Sequence, residues 1–213
     1  MSADTERTAV LIDFGGVLTT SMSEAFRQFG ASIGDPDLPL TVLTRDDTAR
    51  RLFVDHESGL IGAAEFDAGF AARLRSHGAR LDSDGISRRV LAALGRDDET
   101  VALLSRLRNA GVPVALVSNA FGRDPYQGFD LDALADVVVV SSEVGVRKPS
   151  RRIYAIACER LGTSPQHCVM VDDLQQNLDG AARLGIAGVL HVDGATTARL
   201  LAEQFGFTAA LAD

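Results

Sequence analysis

The sequence predicts an α/β protein: a doubly wound, Rossmann-like parallel sheet with an inserted all-helical segment. Two observations predict this fold. In the second half of the chain, short apolar runs followed by polar residues alternate with helical stretches, which is the pattern of buried parallel strands joined by helices. Between about Ser21 and Leu94, the apolar spacing is helical throughout and no strand pattern occurs.

The first predicted element is a strand over residues 8–14, an apolar run that ends in the sequence DFGG. Two glycines directly after an apolar run are typical of a strand that leaves the sheet in a tight turn. Asp13 therefore stands at the end of the first strand. Gly, Pro and Asp residues then divide the helical stretch into four predicted helices, at residues 24–29, 40–56, 63–75 and 85–94.

From residue 99 onward, the predicted helices and strands alternate, as expected for parallel strands that need crossover helices. We predict strands at residues 112–118, 137–141, 168–171 and 187–192, and helices at 99–109, 151–161, 175–184 and 196–205. The change of periodicity predicts a core domain formed by residues 1–19 and 95–213, and a helical cap domain formed by residues 20–94.

Composition excludes several classes of function. The chain has 213 residues, a formal charge of −8 and a pI near 5.0, so a broad nucleic-acid or anionic membrane surface is not expected, because such surfaces need clustered positive charge. The polar residues 1–7 do not resemble a signal peptide, and no apolar stretch is long enough to span a membrane. We therefore expect a cytoplasmic protein; oligomeric state is not readable from the sequence.

Polar residues stand where each predicted strand ends. Asp13 ends the first strand, Ser118 and Asn119 the second, and the pair Asp172 and Asp173 the fourth; Lys148 follows the third strand. In an open parallel sheet, ligands bind beyond the carboxyl ends of the strands. Lys148 is also the only lysine in a chain with twenty arginines, which indicates a position where one small cation must meet an anionic oxygen.

These residues, in this order, resemble the four motifs of the haloacid dehalogenase-like (HAD) hydrolase superfamily, and the resemblance covers nearly the whole chain. Residues 13–18 (DFGGVL), 57–61 (ESGLI) and 172–181 (DDLQQNLDGA) are most similar to a phosphatase branch with a helical cap. That branch includes the amino-terminal phosphatase domain of soluble epoxide hydrolases and bacterial sugar-1-phosphate phosphatases.

The resemblance implies a Mg²⁺-dependent hydrolase of small phosphate monoesters, with a small phosphorylated molecule as its partner and neither nucleic acid nor membrane. Asp13 corresponds to the nucleophile, which forms an aspartyl phosphate that water hydrolyses in a second step. Ser118 and Lys148 are the other catalytic candidates. The predicted Mg²⁺ ligands are Asp13, the carbonyl of Gly15, Asp172 and Asp173, and the predicted substrate-binding residues are Asn119, Gly16 and Arg45.

One position departs from the phosphatase pattern. Related phosphatases carry a second aspartate two residues after the nucleophile, which protonates the leaving alcohol and then activates water, and here that position is Gly15. Such a general acid contributes ~10²–10⁴-fold to the rate, so we expect slow turnover, an easy leaving group or an acid from elsewhere. The candidates for a replacement acid are His56, Glu57, Asp46, Asp47 and Asp55.

Two alternative functions remain open at this level. A haloacid dehalogenase-type hydrolase attacks carbon and needs neither the second aspartate nor a metal, although the adjacent Asp172 and Asp173 favour a divalent cation. A catalytically impaired protein that only binds a phosphate ligand is the other alternative. Retention of Asp13 speaks against it, because binding alone does not require a nucleophile.

Overall fold

The computed structural model describes residues 6–82, 85–122 and 124–208. The outer parts of the predicted core domain, 1–5 and 209–213, lie outside the described residues, as do positions 83, 84 and 123. A five-stranded, all-parallel sheet has the strand order β3-β2-β1-β4-β5. The strands are β1 (Ala9–Ile12), β2 (Val114–Ser118), β3 (Val137–Val140), β4 (Cys168–Asp172) and β5 (Ala187–Leu190).

The central strand β1 is apolar throughout because both of its faces are covered. Val10 and Ile12 pack into one hydrophobic cluster, and Ala9 and Leu11 pack into a second cluster on the opposite face of the sheet. Alternate residues of a strand point to opposite faces. In a strand that is buried on both faces, every position therefore favours an apolar residue. The α/β fold predicted from the sequence is confirmed.

Helices cover the sheet on both faces. They are α6 (Asp98–Asn109), α9 (Arg151–Leu161), α10 (Gln175–Ala182) and α11 (Gly194–Phe205), with the short helices α7 (Leu131–Leu134) and α8 (Ser141–Val144) in the connections around β3. The sequence pattern did not predict α7 and α8, because four residues are too few to show a helical period. None of the described helices combines the length and the apolar character needed to cross a membrane.

Five helices lie between β1 and α6; we call them the inserted helices. They are α1 (Met22–Ser32), α2 (Leu38–Arg45), α3 (Asp47–Glu57), α4 (Ala63–Ser76) and α5 (Ile86–Leu91). They pack around a hydrophobic cluster of their own, in which the rings of Phe26, Phe66, Phe70 and the core residue Phe121 contact one another.

The single helix predicted over residues 40–56 is wrong, because the chain forms two helices there. Asp46 has an extended backbone conformation between them, and its carboxylate accepts hydrogen bonds from the N–H groups of Thr48 and Ala49. An aspartate in this role satisfies donors that a helix start leaves unpaired. Apolar periodicity alone did not reveal the break, because both helices bury apolar residues in the same cluster.

Strand order places the ends of β1, β2 and β4 side by side. From β1 the chain passes to β2 and β3 on one side of the sheet, and later to β4 and β5 on the other. This reversal of direction beside β1 is where open α/β sheets bind their ligands. The fold therefore gathers the polar strand ends noted in the sequence.

Candidate active site

Lys148 lies at the centre of a buried cluster of charges. Its Nζ is 2.6 Å from Asp13 Oδ1, just beyond β1, and 2.8 Å from Asp172 Oδ2, the last residue of β4. Its side chain is only 1% exposed. A cation buried to this extent requires anionic partners, and the ends of two neighbouring strands supply them.

Asn119 holds the Lys148 segment in place. Its Oδ1 accepts a hydrogen bond from the N–H of Lys148 at 2.8 Å, and its Nδ2 donates to the Lys148 carbonyl at 3.3 Å. The side chain predicted to bind substrate is therefore engaged with the protein backbone. In this arrangement Asn119 orients Lys148, and its backbone N–H remains as the group it can offer to a ligand.

Asp172 is fully buried and held on both of its oxygens. Oδ1 accepts hydrogen bonds from the N–H of Leu174 and from Asn177 Nδ2, each at 2.9 Å, while Oδ2 accepts from Lys148. The first turn of α10 thus fixes the carboxylate that orients the lysine.

Asp173 lies beside the turn that follows β1. Gly16 in that turn has a φ of 82°, and a Cβ at this position would lie 2.1 Å from Asp173 Oδ2. Only glycine allows the backbone to come so close to the carboxylate in this conformation. Gly16, which was predicted to bind substrate, thus lies beside Asp173, and its backbone conformation requires glycine.

The electrostatics of the cluster show an excess of negative charge. Burial raises the pKa of Asp13 well above its usual range; Lys148 counteracts this, and the charges of Asp172 and Asp173 add to it. Burial and the Asp172 charge raise the pKa of Asp173 to about 6. Burial lowers the pKa of Lys148, but Asp13 and Asp172 outweigh burial and leave that pKa above its ordinary value.

The same cluster fits a magnesium ion. Asp13, Asp172 and Asp173 each have a carboxylate oxygen within 4.8 Å of the others. Three carboxylates and one ammonium sum to a formal charge of −2, and Mg²⁺ prefers oxygen ligands. A divalent cation would balance this charge and relieve the mutual repulsion that raises the pKa values of Asp13 and Asp173.

The nucleophile candidate has one oxygen free. Asp13 Oδ1 accepts a hydrogen bond from the N–H of Phe14 at 2.6 Å and also contacts Lys148. Oδ2 receives no hydrogen bond from any described residue. Of the two carboxylate oxygens, Oδ2 is therefore the one available to attack a substrate.

Ser118 and Tyr126 contribute two further hydroxyl groups near Asp13. Ser118 is buried at the end of β2, and its hydroxyl makes a long contact, 3.5 Å, to the carbonyl of Asn119. The Tyr126 hydroxyl is buried without a hydrogen-bond partner among the described residues. Burial raises the pKa of Tyr126, Ser118 opposes that rise, and the Asp13 charge adds to it.

The sequence pattern assigned no role to Tyr126. The feature of the sequence that could have pointed to Tyr126 is an aromatic hydroxyl in the loop directly after Ser118 and Asn119. The ring of Tyr126 packs edge-on against Phe14, with 4.8 Å between the ring centroids, and this contact directs the loop toward the site.

Gly15 has room for a side chain. It does not adopt the left-handed backbone conformation, and the nearest atom to a Cβ built there is Met22 Cγ at 3.4 Å. No described backbone atom lies within 4 Å of that Cβ, apart from those of its chain neighbours. Neither sterics nor backbone geometry explains why the residue is glycine.

Two of the three candidate aspartates in the inserted helices are held by basic side chains. The Asp46 carboxylate is bonded to Arg73 and His77, and the Asp47 carboxylate to Arg50. Asp55 is half-buried and makes no side-chain hydrogen bond with a described residue.

The remaining candidates from the inserted helices have other surroundings. Glu57 pairs with Arg147 of the core, and His56 accepts a hydrogen bond from the N–H of Gly122. Arg45, predicted to bind substrate, is exposed at the end of α2, and no hydrogen bond or ion pair joins it to a described residue.

Comparison with known proteins assigns the chain to a protein family. The model of the haloacid dehalogenase-like hydrolase family matches residues 8–185. The chain is 30% identical over 112 residues to (S)-2-haloacid dehalogenase 4A from Burkholderia cepacia, a match that covers 49% of the chain and 48% of that protein. It is 26% identical to a phosphorylated carbohydrates phosphatase from Thermotoga maritima, over 86% of the chain and 85% of that protein. The chain spans about half or less of the first curated relatives that it matches.

Solved structures agree with this assignment. The fold is similar to that of the HAD family enzyme bt-2542 from Bacteroides thetaiotaomicron, with a TM-score of 0.72 and 25% identity over 92% of the chain and 98% of that enzyme. A magnesium complex of bt-2542 matches with a TM-score of 0.68 and 25% identity, over 88% and 94% of the two chains. Because the family match extends over most of its length, this chain belongs to the haloacid dehalogenase-like hydrolases, with both phosphatases and dehalogenases among its relatives.

Proposed function

We propose that the protein is a Mg²⁺-dependent phosphatase that hydrolyses small phosphate monoesters through an aspartyl phosphate on Asp13. The observation that carries this proposal is the buried Lys148, which contacts Asp13 and Asp172 beside a third carboxylate, Asp173. This set combines a nucleophile, a fixed cation and an excess of two negative charges that suits a divalent metal. The phosphatase relatives support the same reaction class.

Each residue of the cluster has a distinct part in the reaction. Asp13 Oδ2 attacks phosphorus, which forms an acyl phosphate and expels the leaving group as an oxyanion that takes a proton from water; water then hydrolyses the acyl phosphate, which releases inorganic phosphate and restores the carboxylate. Lys148 neutralises charge near the attacking carboxylate and is oriented by Asp172 and Asn119. The Ser118 hydroxyl and the backbone N–H of Asn119 donate hydrogen bonds to phosphoryl oxygens.

Asp13, Asp173 and the carbonyl of Gly15 would hold the metal ion, and Asp172 would complete the set through Oδ2, the oxygen that also contacts Lys148. When bound, Mg²⁺ supplies charge neutralisation for the phosphoryl group and helps to orient it.

The dehalogenase alternative has one observation in its favour, the 30% identity to (S)-2-haloacid dehalogenase 4A over half of the chain. The charge balance of the site opposes it. A reaction at carbon without a metal would leave Asp172 and Asp173 beside the nucleophile with only Lys148 to compensate them. The phosphatase reaction is therefore favoured.

We further propose that the inserted helices are a cap domain, residues 20–94, over a core of residues 1–19 and 95–213. A helical cap that closes over a site excludes water and limits substrates to small molecules. We propose a cytoplasmic enzyme that acts on a phosphorylated small molecule. Because the chain has a formal charge of −8, we propose no nucleic-acid or membrane partner. Arg45 remains a proposed substrate-binding residue that could meet a second anionic group of the substrate.

The test is phosphate release from small phosphate esters, among them acetyl phosphate, phenyl phosphate and glucose 1-phosphate, with Mg²⁺ and with EDTA. We expect release that requires Mg²⁺ and is abolished by Asp13→Asn, which keeps the shape of the side chain but removes its negative charge. Asp37→Asn, an exposed aspartate at the start of α2, is the matched control and should behave as wild type. Equal release by Asp13→Asn or in EDTA contradicts the proposal.

A further inference from the structure

A large cavity lies between the inserted helices and the core, beside the catalytic cluster. Its volume is about 1060 Å³, at the upper end of the range for ligand pockets, ~300–1,000 Å³. Three of its lining residues contact the turn after β1 or follow β2 directly. Thr19 Oγ1 accepts from the N–H of Gly16, the Phe129 ring packs on Phe14, and Ala120 follows Asn119.

The described lining is dominated by small and apolar side chains. The inserted helices contribute Gly62, Ala63, Ala64 and Ala92, which leave space rather than fill it, and the walls are formed by Ile61, Leu91, Leu94 and Phe129. Small residues at the ends of packed helices keep a cavity open, and the larger apolar groups give it a surface that favours apolar contact.

The inner polar groups of this lining are largely occupied within the protein. His56 uses both ring nitrogens: Nε2 accepts from the N–H of Gly122 at 2.9 Å, so Nδ1 carries the hydrogen and donates to the Ile61 carbonyl at 3.2 Å. Burial lowers the pKa of His56, consistent with this neutral form. Asp67 Oδ1 accepts from the N–H of Ser87 at 2.8 Å, and Thr19 Oγ1 donates to the Thr20 carbonyl.

The other charged or amide side chains of the described lining, Arg88, Asp124 and Gln127, are exposed and therefore lie at the rim. Of the inner polar groups, only Asp67 Oδ2 and the Ser87 hydroxyl have no hydrogen bond with a described residue, which is fewer partners than the several hydroxyl groups of a bound sugar would need. Each buried hydroxyl without a partner weakens binding. An apolar group carries no such cost.

We propose that this cavity binds the aromatic, apolar part of an aryl phosphate monoester, and that the enzyme prefers such esters to sugar phosphates. The inference rests on the proposed phosphatase function. Gly15 supplies a second, independent argument, because the enzyme has no acid at that position to protonate the leaving oxygen. As Asp13 Oδ2 forms its bond to phosphorus, the electron pair of the breaking P–O bond passes to a phenolate, which is stable without that proton.

The experiment compares kcat/KM for acetyl phosphate, phenyl phosphate, naphthyl phosphate and glucose 1-phosphate in the presence of Mg²⁺. We expect naphthyl phosphate to exceed phenyl phosphate by about tenfold, because the second ring buries additional apolar surface, and to exceed glucose 1-phosphate by at least about 100-fold. Acetyl phosphate needs no cavity contact and reports the basal reaction.

A matched pair of variants tests the location. Ala64→Phe places a ring on the lining of the cavity, whereas Ala72→Phe places the same ring on a position of the same helix, α4, that does not line it; both positions are exposed. The ratio of kcat/KM for naphthyl phosphate to that for acetyl phosphate should fall about tenfold in Ala64→Phe and stay within about twofold in Ala72→Phe. Gly62→Leu is a second filling variant, since a Cβ on Gly62 meets no atom within 4 Å.

The outcomes separate the cavity preference from the phosphatase function. Asp13-dependent release with glucose 1-phosphate equal to or better than naphthyl phosphate overturns the cavity inference and leaves the phosphatase function intact. An unchanged substrate ratio in both Ala64→Phe and Gly62→Leu also overturns it. No release from any ester, acetyl phosphate included, removes the phosphatase function and the inference with it.

Discussion

At the scale of single residues, Lys148 shows how composition can point to a site. Its two contacts, at 2.6 and 2.8 Å, are made by one nitrogen on a side chain that is 1% exposed. An arginine would bring a wider, planar fork of donors into a space where two carboxylates converge on a single point. The one lysine in an arginine-rich chain therefore occupies a position that arginine fits poorly.

Gly15 leads to a prediction at the same scale. Gly15→Asp should raise kcat/KM for alkyl phosphates by about 10²-fold, because it adds the missing acid where a Cβ meets no closer atom than Met22 Cγ. The kcat/KM for aryl phosphates should gain little, since a phenolate leaves without a proton. The measurement is kcat/KM for both ester classes at a fixed pH, because this constant covers the steps up to release of the leaving group and not the later hydrolysis of the aspartyl phosphate.

Gly15→Asn is the control for this prediction. It has nearly the same shape as Gly15→Asp but cannot act as an acid. If Gly15→Asn accelerates alkyl phosphates as much as Gly15→Asp does, the gain does not come from proton transfer.

At the scale of secondary structure, close packing of α10 fixes the lysine segment. A Cβ on Gly180 in α10 would lie 2.5 Å from the carbonyl oxygen of Pro149, the residue after Lys148. The contact is with backbone, so it cannot be relieved by turning a side chain. Glycine lowers helix propensity, and here it lets the helix lie directly against the segment that carries Lys148.

Gly180→Ala should therefore lower activity about tenfold or more and lower the melting temperature, although alanine in a helix normally stabilises. Gly69→Ala in α4 is the matched control, because its Cβ would meet only the flexible end of Leu52. Thermal melts and kcat/KM check both variants. A Gly180→Ala enzyme with wild-type activity and stability would show that the segment around Lys148 tolerates a shift.

At the scale of the whole molecule, the end of α3 joins the inserted helices to the core. Glu57 Oε2 lies 2.6 Å from Arg147 Nε, and the carbonyl of Glu57 accepts a hydrogen bond from Ser141 Oγ. The N–H of Ala120 donates to the same Ser141 oxygen at 2.8 Å. Arg147 precedes Lys148 and Ala120 follows Asn119, so these contacts couple the position of the inserted helices to the buried charge cluster around Lys148.

This junction predicts a pH dependence of stability. Burial raises the pKa of Glu57 from an ordinary 4.5 to about 7, against the opposing charges of Arg147 and Lys148. The folded state thus binds this proton more tightly than the unfolded chain does. The contribution is fully present below pH 4.5 and is lost as the pH rises through about 7; it amounts to about 3 kcal/mol in the free energy of unfolding.

Glu57→Gln removes that titration. The unfolding free energies of wild type and Glu57→Gln are measured by urea denaturation at about pH 5 and about pH 8. Between these two pH values, wild type should lose more stability than Glu57→Gln does. Glu65→Gln, an exposed glutamate of α4, is the control and should show no such shift. A pH-independent difference for Glu57→Gln contradicts the prediction.

The sequence by itself determined the fold class, the insertion and the residues at the strand ends. Burial on both faces forces apolar runs in β1, β2 and β4, and the first polar residue after such a run must lie at the edge of the sheet. For this reason the sequence alone predicts that three residues lie together at that edge: Asp13, Ser118 and Asp172. Lys148 joins them through the loop that follows β3.

Only the tertiary structure decided which of these residues meet. Asp172 rather than Asp173 bonds to Lys148, across 24 positions of sequence, and Asn119 bonds to the Lys148 backbone across 29. It also brought the Tyr126 hydroxyl beside Ser118 and broke the helix at Asp46. Periodicity reports which side of an element is buried, but partners are chosen by strand order and close packing, and these depend on the whole chain.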